Sequence, residues 1–214
     1  MSKVSPEYIV IEGPIGVGKT TLARRLAETM GMDLLLESAS DNPFLPKFYQ
    51  DPKTAALPTQ LHFLFQRVRQ MEELRQTDIF KPALIADFLV QKDRLFAGIT
   101  LNDHELDLYY QVYNRLMVEA PAPDLVIYLQ ASVDDLIRRV YERGVDFERN
   151  ISEQYLKTVS DAYVDFFYNY NQSPLLIVNT ADFDLANNNR NFELLLNYIQ
   201  DLAPGRHYFN PREL

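Results

Sequence analysis

The chain has 214 residues, no cysteine, and 30 acidic against 21 basic side chains, for a net charge of −9. Absence of thiols excludes a disulfide scaffold and a Cys-ligated zinc module, and the negative balance opposes nucleic-acid backbone binding, which needs a basic face to release counterions. With 47% apolar residues the chain can build a sizeable core, yet no apolar run approaches the roughly 20 residues that span a bilayer.

Seven residues precede the first apolar run, too few for a targeting segment, so the expected setting is cytoplasmic, with no membrane or nucleic-acid partner. The first predicted strand is Tyr8 to Glu12, followed by a helix from Lys19 to Met30. Further strands are expected at Leu34 to Glu37, Ala83 to Asp87, Leu125 to Leu129 and Leu175 to Val178. Helical patterning covers Pro43 to Tyr49, Pro58 to Gln76, Val90 to Ala97, Asp103 to Ala120, Ser132 to Arg143, Ser152 to Tyr170 and Asn191 to Leu202. Continuous apolar strands are covered on both faces, and alternation with helices implies crossovers. The expectation is an α/β fold: one domain over residues 1–214, with a five-stranded parallel sheet flanked by helices. The Asn run at 187–189 reads as a loop able to cap the last helix. His62, His104 and His207 have no paired ligand spacing.

Between the first strand and helix lies Gly13-Pro14-Ile15-Gly16-Val17-Gly18-Lys19-Thr20, which fits G-x-x-x-x-G-K-[ST]. Glycines let successive N–H groups point into one cavity, and the following helix N-terminus adds partial positive charge. Such a loop cradles a triphosphate, with Lys19 bridging β- and γ-phosphates and the Thr20 hydroxyl on Mg²⁺. Thr21 completes the segment. The loop alone does not distinguish switch GTPases, transport ATPases and small-molecule kinases.

Polar residues at the C-terminal ends of strands two and three point into the ligand crevice of such a sheet. These are Glu37, able to take a proton from an attacking hydroxyl, and Asp87, able to hold water on Mg²⁺. After the fourth strand, Arg139 and Arg143 share a helix face. Cations there can neutralise a transferring phosphoryl, and a segment closing over it keeps water out.

With GPIGVGKTT at 13–21, Glu37 followed by Asn42-Pro43-Phe44-Leu45, Phe48-Tyr49, Phe65-Gln66, DFLVQKDR at 87–94 and RVYERGVDFE at 139–148, the chain resembles the deoxyribonucleoside kinases. Within them it is similar to the bacterial deoxyadenosine/deoxyguanosine kinase type. The resemblance implies a P-loop kinase fold with an Arg-bearing lid at about 139–150. It implies transfer of the γ-phosphoryl of ATP, with Mg²⁺, to the 5′-hydroxyl of a deoxynucleoside, purine preferred, in nucleotide salvage by a homodimer. By the same resemblance Glu37 is the base, Tyr49 and Glu148 hold the sugar 3′-hydroxyl, and Gln66 pairs with the base. Phe96 stacks on the base, and Asp93 selects among bases. Gly13, Ile15, Gly16, Val17, Gly18, Lys19, Thr20 and Thr21 hold the donor with Arg139 and Arg143, while Asp182 and Phe183 lie near its adenine.

The chain departs from this pattern at three places. Phe88 stands where many relatives carry an Arg after the third strand's acid, and Val145 replaces the lid's second Arg. Glu73 stands seven residues after Gln66, where some relatives place an Arg that pairs with the acid equated with Asp93; Arg69 is the expected substitute. Two other readings remain: a nucleoside monophosphate kinase of the thymidylate type, and a catalytically degenerate nucleotide-binding regulator.

Overall fold

A computed structural model describes residues 6–76, 83–116, 121–181 and 188–210. Its elements in chain order are β1 (Tyr8–Glu12), α1 (Lys19–Met30), β2 (Asp33–Leu35), α2 (Leu45–Gln50), α3 (Pro52–Gln76), β3 (Leu84–Ala86), α4 (Lys92–Thr100), α5 (Asp103–Leu116), β4 (Leu125–Gln130), α6 (Val133–Arg143), α7 (Glu153–Asn169), β5 (Leu175–Asn179), α8 (Asn189–Gln200) and β6 (Arg206–Phe209). The strands form one sheet in the order β2-β3-β1-β4-β5-β6, and every pair is parallel.

The expected α/β architecture is present, but the sheet has six strands rather than five. β6 carries Arg206-His207-Tyr208-Phe209, in which Arg206 and Tyr208 are exposed while Phe209 joins the core. An edge strand covered on one face alternates instead of running apolar, so it lacks the signal that marks the other five. Its Arg206 Nη2 donates to the carbonyls of Phe167, Tyr168 and Tyr170, each at 3.0 Å, and so closes the end of α7.

Alternation along the strands separates two cores. Ile9, Ile11, Ile127 and Val178 face a cluster with Leu22, Leu26, Leu136, Leu195 and Ile199 from α1, α6 and α8. Val10, Tyr128 and Ile177 face Val159, Tyr163 and Phe167 of α7. Helix starts follow their caps: Ser132 and Ser152 hydroxyls each accept a backbone N–H at 3.1 Å, and the Asn188 side chain accepts from Asn191 N at 3.2 Å. Asn188 of the Asn run therefore caps the last helix. β2 and β3 end earlier than expected, leaving Glu37 and Asp87 in loops just beyond them. α3 begins six residues before the expected Pro58, which sits inside the helix.

Candidate active site

β1 feeds the phosphate loop and α1 carries it away, as the sequence predicts. Two glycines are dictated by close backbone approach as well as positive φ. A Cβ on Gly13 would lie 2.5 Å from the Leu129 carbonyl oxygen, and one on Gly16 would lie 2.8 Å from the Leu136 oxygen and 2.9 Å from Val140 Cγ2. The loop is thereby seated on β4 and α6. Gly16→Ala, strained at φ +85° and without room, is expected to reduce ATP affinity at least about tenfold; calorimetric titration checks this, and unchanged affinity would remove the constraint.

Lys19 Nζ donates to the carbonyls of Gly13 at 2.8 Å and Pro14 at 3.2 Å. Burial, helped by the Lys92 ammonium, lowers its pKa from the usual lysine value. The Thr20 hydroxyl donates to Asp87 Oδ2 at 2.5 Å, and Asp87 Oδ1 accepts the Glu37 backbone N–H at 2.7 Å. One carboxylate thus ties the phosphate loop to the segment bearing the candidate base. Val17 is buried beneath the loop, Gly18 provides the left-handed turn into α1, and Thr21 is exposed on its first turn.

A cavity of about 190 Å³ adjoins the loop, and Ile15, Gly16, Lys19, Thr20, Glu37 and Asp87 all line it. Tyr49, Asp93, Phe96, Arg143 and Glu148 reach the same space. Glu37 Oε1 accepts from Arg67 Nη2, and its Oε2 accepts from Lys92 Nζ at 2.9 Å. Burial alone would raise its pKa, but Lys92 and Arg67 outweigh it and hold the carboxyl at about 2. Glu37 is ionised throughout the neutral range.

Gln66 does not line the cavity. Its Nε2 donates to the Ser38 carbonyl at 3.2 Å, and the cavity wall from α3 is instead Thr59, Gln60, Phe63 and Arg67. At 100° per residue Gln60, Phe63 and Arg67 fall within about 60° of one another, whereas Gln66 lies about 120° from Gln60, with its amide turned to the Ser38 carbonyl. Gln60 is the α3 glutamine that lines the cavity. The expected seven-residue spacing to an Arg then lands on Arg67, whose Nη1 pairs with Asp93 Oδ1. Arg69 is exposed and does not take that role. Burial, partly offset by Arg67 and Lys92, raises the Asp93 carboxyl to about 6.

Tyr49 stacks on Phe147 with rings 6.2 Å apart, and burial raises its phenol well above the usual value, so it stays a donor. Phe96 lies edge-on to Tyr163 at 6.1 Å with its ring in the cavity wall. In the lid stretch Arg143 Nη2 pairs with Glu148 Oε2, joining the end of α6 to the short turn at 146–150. Arg139 donates to Thr180 Oγ1 at 3.0 Å and to the Thr180 carbonyl at 2.8 Å, and reaches the Val17 carbonyl at 3.4 Å. It therefore connects the lid helix, the phosphate loop and the end of β5. Arg94 lies over Tyr110 and Tyr113, away from this cluster. Asp182 and Phe183 lie outside the described residues.

Three residues of the site escaped the sequence reading besides Gln60. Glu12, fully buried at the end of β1, accepts N–H bonds from Gly13 at 2.9 Å and Leu89 at 2.7 Å and the Tyr163 hydroxyl at 2.8 Å. Lys92 reaches Glu12 Oε1 at 3.4 Å, and Arg67 bridges Glu37 and Asp93. Phe88 is fully buried against Met71 and Val90, so no charged group could stand there without a partner.

A profile of the deoxynucleoside kinase family matches residues 9–204. The chain belongs to the deoxynucleoside kinase family. It is 36% identical to a deoxyguanosine kinase of Bacillus subtilis (strain 168) over 200 residues, covering 91% of this chain and 97% of that protein. It is 29% identical to a deoxyadenosine kinase of Lactobacillus acidophilus (strain ATCC 700396 / NCK56 / N2 / NCFM), over 85% of this chain and 89% of the relative. The deoxyadenosine kinase of M. mycoides with bound dATP superposes with a TM-score of 0.77 at 26% identity, over 89% of this chain and 98% of that one. As a member of this family the chain is an ATP-dependent phosphotransferase acting on deoxynucleosides. Among the described residues, no helix is long and apolar enough to cross a membrane.

Proposed function

We propose that the chain transfers the γ-phosphoryl of ATP to the 5′-hydroxyl of a purine deoxynucleoside, with Glu37 as base. One observation carries this reading: the Glu37 carboxylate and the Lys19–Thr20 end of the phosphate loop line a single cavity, joined through Asp87. The names of the deoxyguanosine and deoxyadenosine kinase relatives support the purine preference. The Gln60 amide offers one acceptor and one donor arrangement to a base edge, and Phe96 offers a ring face. Tyr49 and Glu148 suit the two hydrogen-bonding roles of a sugar hydroxyl.

Glu37, held at about 2, is a weak base before reaction. It first orients the 5′-hydroxyl by accepting its hydrogen bond. The proton moves only as the new O–P bond forms and the alcohol becomes acidic, which suits a loose transition state with little early bonding to the nucleophile. The balance is one O–P bond made, the γ-phosphate bond to ADP broken, and one proton delivered to Glu37. Lys19, Arg139 and Arg143 stabilise charge on the phosphates.

Thr20 Oγ1 and Asp87 Oδ2, converging at 2.5 Å, form an all-oxygen pair that fits Mg²⁺, which favours few protein ligands alongside phosphate oxygens and water. Mg²⁺ held by Thr20 and Asp87 together with ATP would supply charge neutralisation for the phosphates. Asp182 and Phe183 remain our assignment beside the donor base. We also assign the whole chain to one domain, working as a cytoplasmic homodimer.

The test is an acceptor panel of four deoxynucleosides, their ribose counterparts and their monophosphates with Mg-ATP. Deoxyguanosine or deoxyadenosine is expected to have the highest kcat/KM. Preference for a pyrimidine would overturn the base assignment, and preference for a monophosphate would overturn the acceptor.

A further inference from the structure

We propose that Lys92 is a catalytic cation, meeting the phosphoryl group on the acceptor side as it passes from ATP to the nucleoside. The inference rests on the acceptor site described above and extends it.

Two buried cations flank Glu37, and they are not equivalent. Arg67 is held between two carboxylates, Nη1 on Asp93 and Nη2 on Glu37, which fixes its planar guanidinium even though its Nε has no partner among the described residues. Lys92 stands 2.9 Å from Glu37 Oε2 and 3.4 Å from Glu12 Oε1, so an ammonium with three N–H donors retains one for a further partner. Its side chain is only 4% exposed and lines the same cavity as Lys19, Thr20 and Glu37. Glu12 is itself fixed by two backbone N–H groups and the Tyr163 hydroxyl. Lys92 is thus mounted on a fixed anion at the end of β1, where the phosphate loop begins.

Charge balance gives the timing. Before transfer, Glu37 neutralises much of the Lys92 charge. When the 5′-oxygen attacks, its proton goes to Glu37, and the O–P bond forms as the bond to ADP breaks. Lys92, still held by Glu12, then loses the charge of Glu37 just as a phosphoryl dianion arrives there. A cation released at that moment stabilises the transition state more than the ground state, which raises kcat rather than merely tightening binding. The position after Asp87 supplies no cation of its own, because Phe88 fills it with a fully buried ring.

The experiment compares Lys92→Met, Lys92→Arg and the double variant Glu12→Gln/Lys92→Gln in steady-state assays varying nucleoside and ATP separately, with ATP binding measured by calorimetry. Lys92→Met is expected to lower kcat at least about 10²-fold, with both KM values within about threefold. Lys92→Arg is expected to recover at least about a tenth of wild-type kcat. The double variant removes both members of the buried pair, so it folds and binds ATP even if Lys92→Met does not; its kcat is expected to stay down about 10²-fold. Recovery of kcat in the double variant would show Lys92 to be only a counter-ion for Glu12, and loss confined to KM would make it a binding group. Either result overturns the proposal. Absence of any deoxynucleoside phosphorylation by the wild type would instead overturn the underlying reading.

Discussion

Glu37→Gln is expected to lower kcat by at least about 10² while leaving ATP affinity within about threefold of wild type. The amide keeps the shape and can still orient a hydroxyl, but it has no site to receive the proton. ATP affinity survives because the phosphate loop owes its conformation to Gly13, Gly16 and their seats on β4 and α6, not to Glu37. The loss of charge falls on Arg67 and Lys92, and each retains a second carboxylate, Asp93 and Glu12 respectively. The fold should therefore survive, and a kinetic defect can be read as chemistry. Steady-state kinetics with calorimetric ATP titration checks both parts; near-wild-type turnover would strip Glu37 of its role.

Arg67→Met is expected to destabilise the protein by about 3–5 kcal/mol, the usual cost of leaving a buried charge without its partner. Asp93 is 1% exposed, and among the described residues its Oδ2 has no hydrogen-bond partner. Arg67 Nη1 is the ion-pair partner of its other oxygen. The groups acting on Asp93 are Arg67 and Lys92, which favour its charge, and Glu37 and Glu12, which oppose it.

The sign of the pH dependence follows from the wild-type value. A carboxyl raised from 3.8 to about 6 binds its proton more tightly in the folded state than in the unfolded one. Its contribution to stability is therefore fully present below 3.8 and is lost as pH rises through about 6. Removing Arg67 pushes the carboxyl higher still, so the variant should be less impaired at pH 5 than at pH 8. Urea unfolding at the two pH values measures this, with Arg67→Met/Asp93→Asn as control. The double variant should regain stability and lose the pH difference; equal destabilisation of Arg67→Met at both pH values would contradict the assignment.

Much of this site was legible because its residues sit where a strand ends or a glycine loop turns. Lys19, Thr20, Glu37 and Asp87 are named by position relative to apolar strands, and their roles need no knowledge of the helices. Gln66, which does not line the cavity, shows the opposite situation. On a 25-residue helix of weak amphipathicity the apolar pattern does not mark the face turned to the cavity, and two glutamines six apart point in different directions. The spacing from Gln60 to Arg67, two helical turns, was the available clue. Lys92 and Glu12 were harder to see. A buried lysine at the start of a helix and a carboxylate ending an apolar strand each look like solvated termini until the fold brings them together. β6 was missed because an edge strand carries only half the apolar pattern.

The most direct test is a crystal structure of the protein with its preferred deoxynucleoside and a non-hydrolysable ATP analogue. The 5′-oxygen is expected within about 2.6–3.2 Å of a Glu37 carboxylate oxygen and in line with the γ-phosphorus. A nucleoside seated with its 5′-oxygen beyond about 5 Å from Glu37, or bound outside the cavity lined by Gln60 and Phe96, would contradict the account.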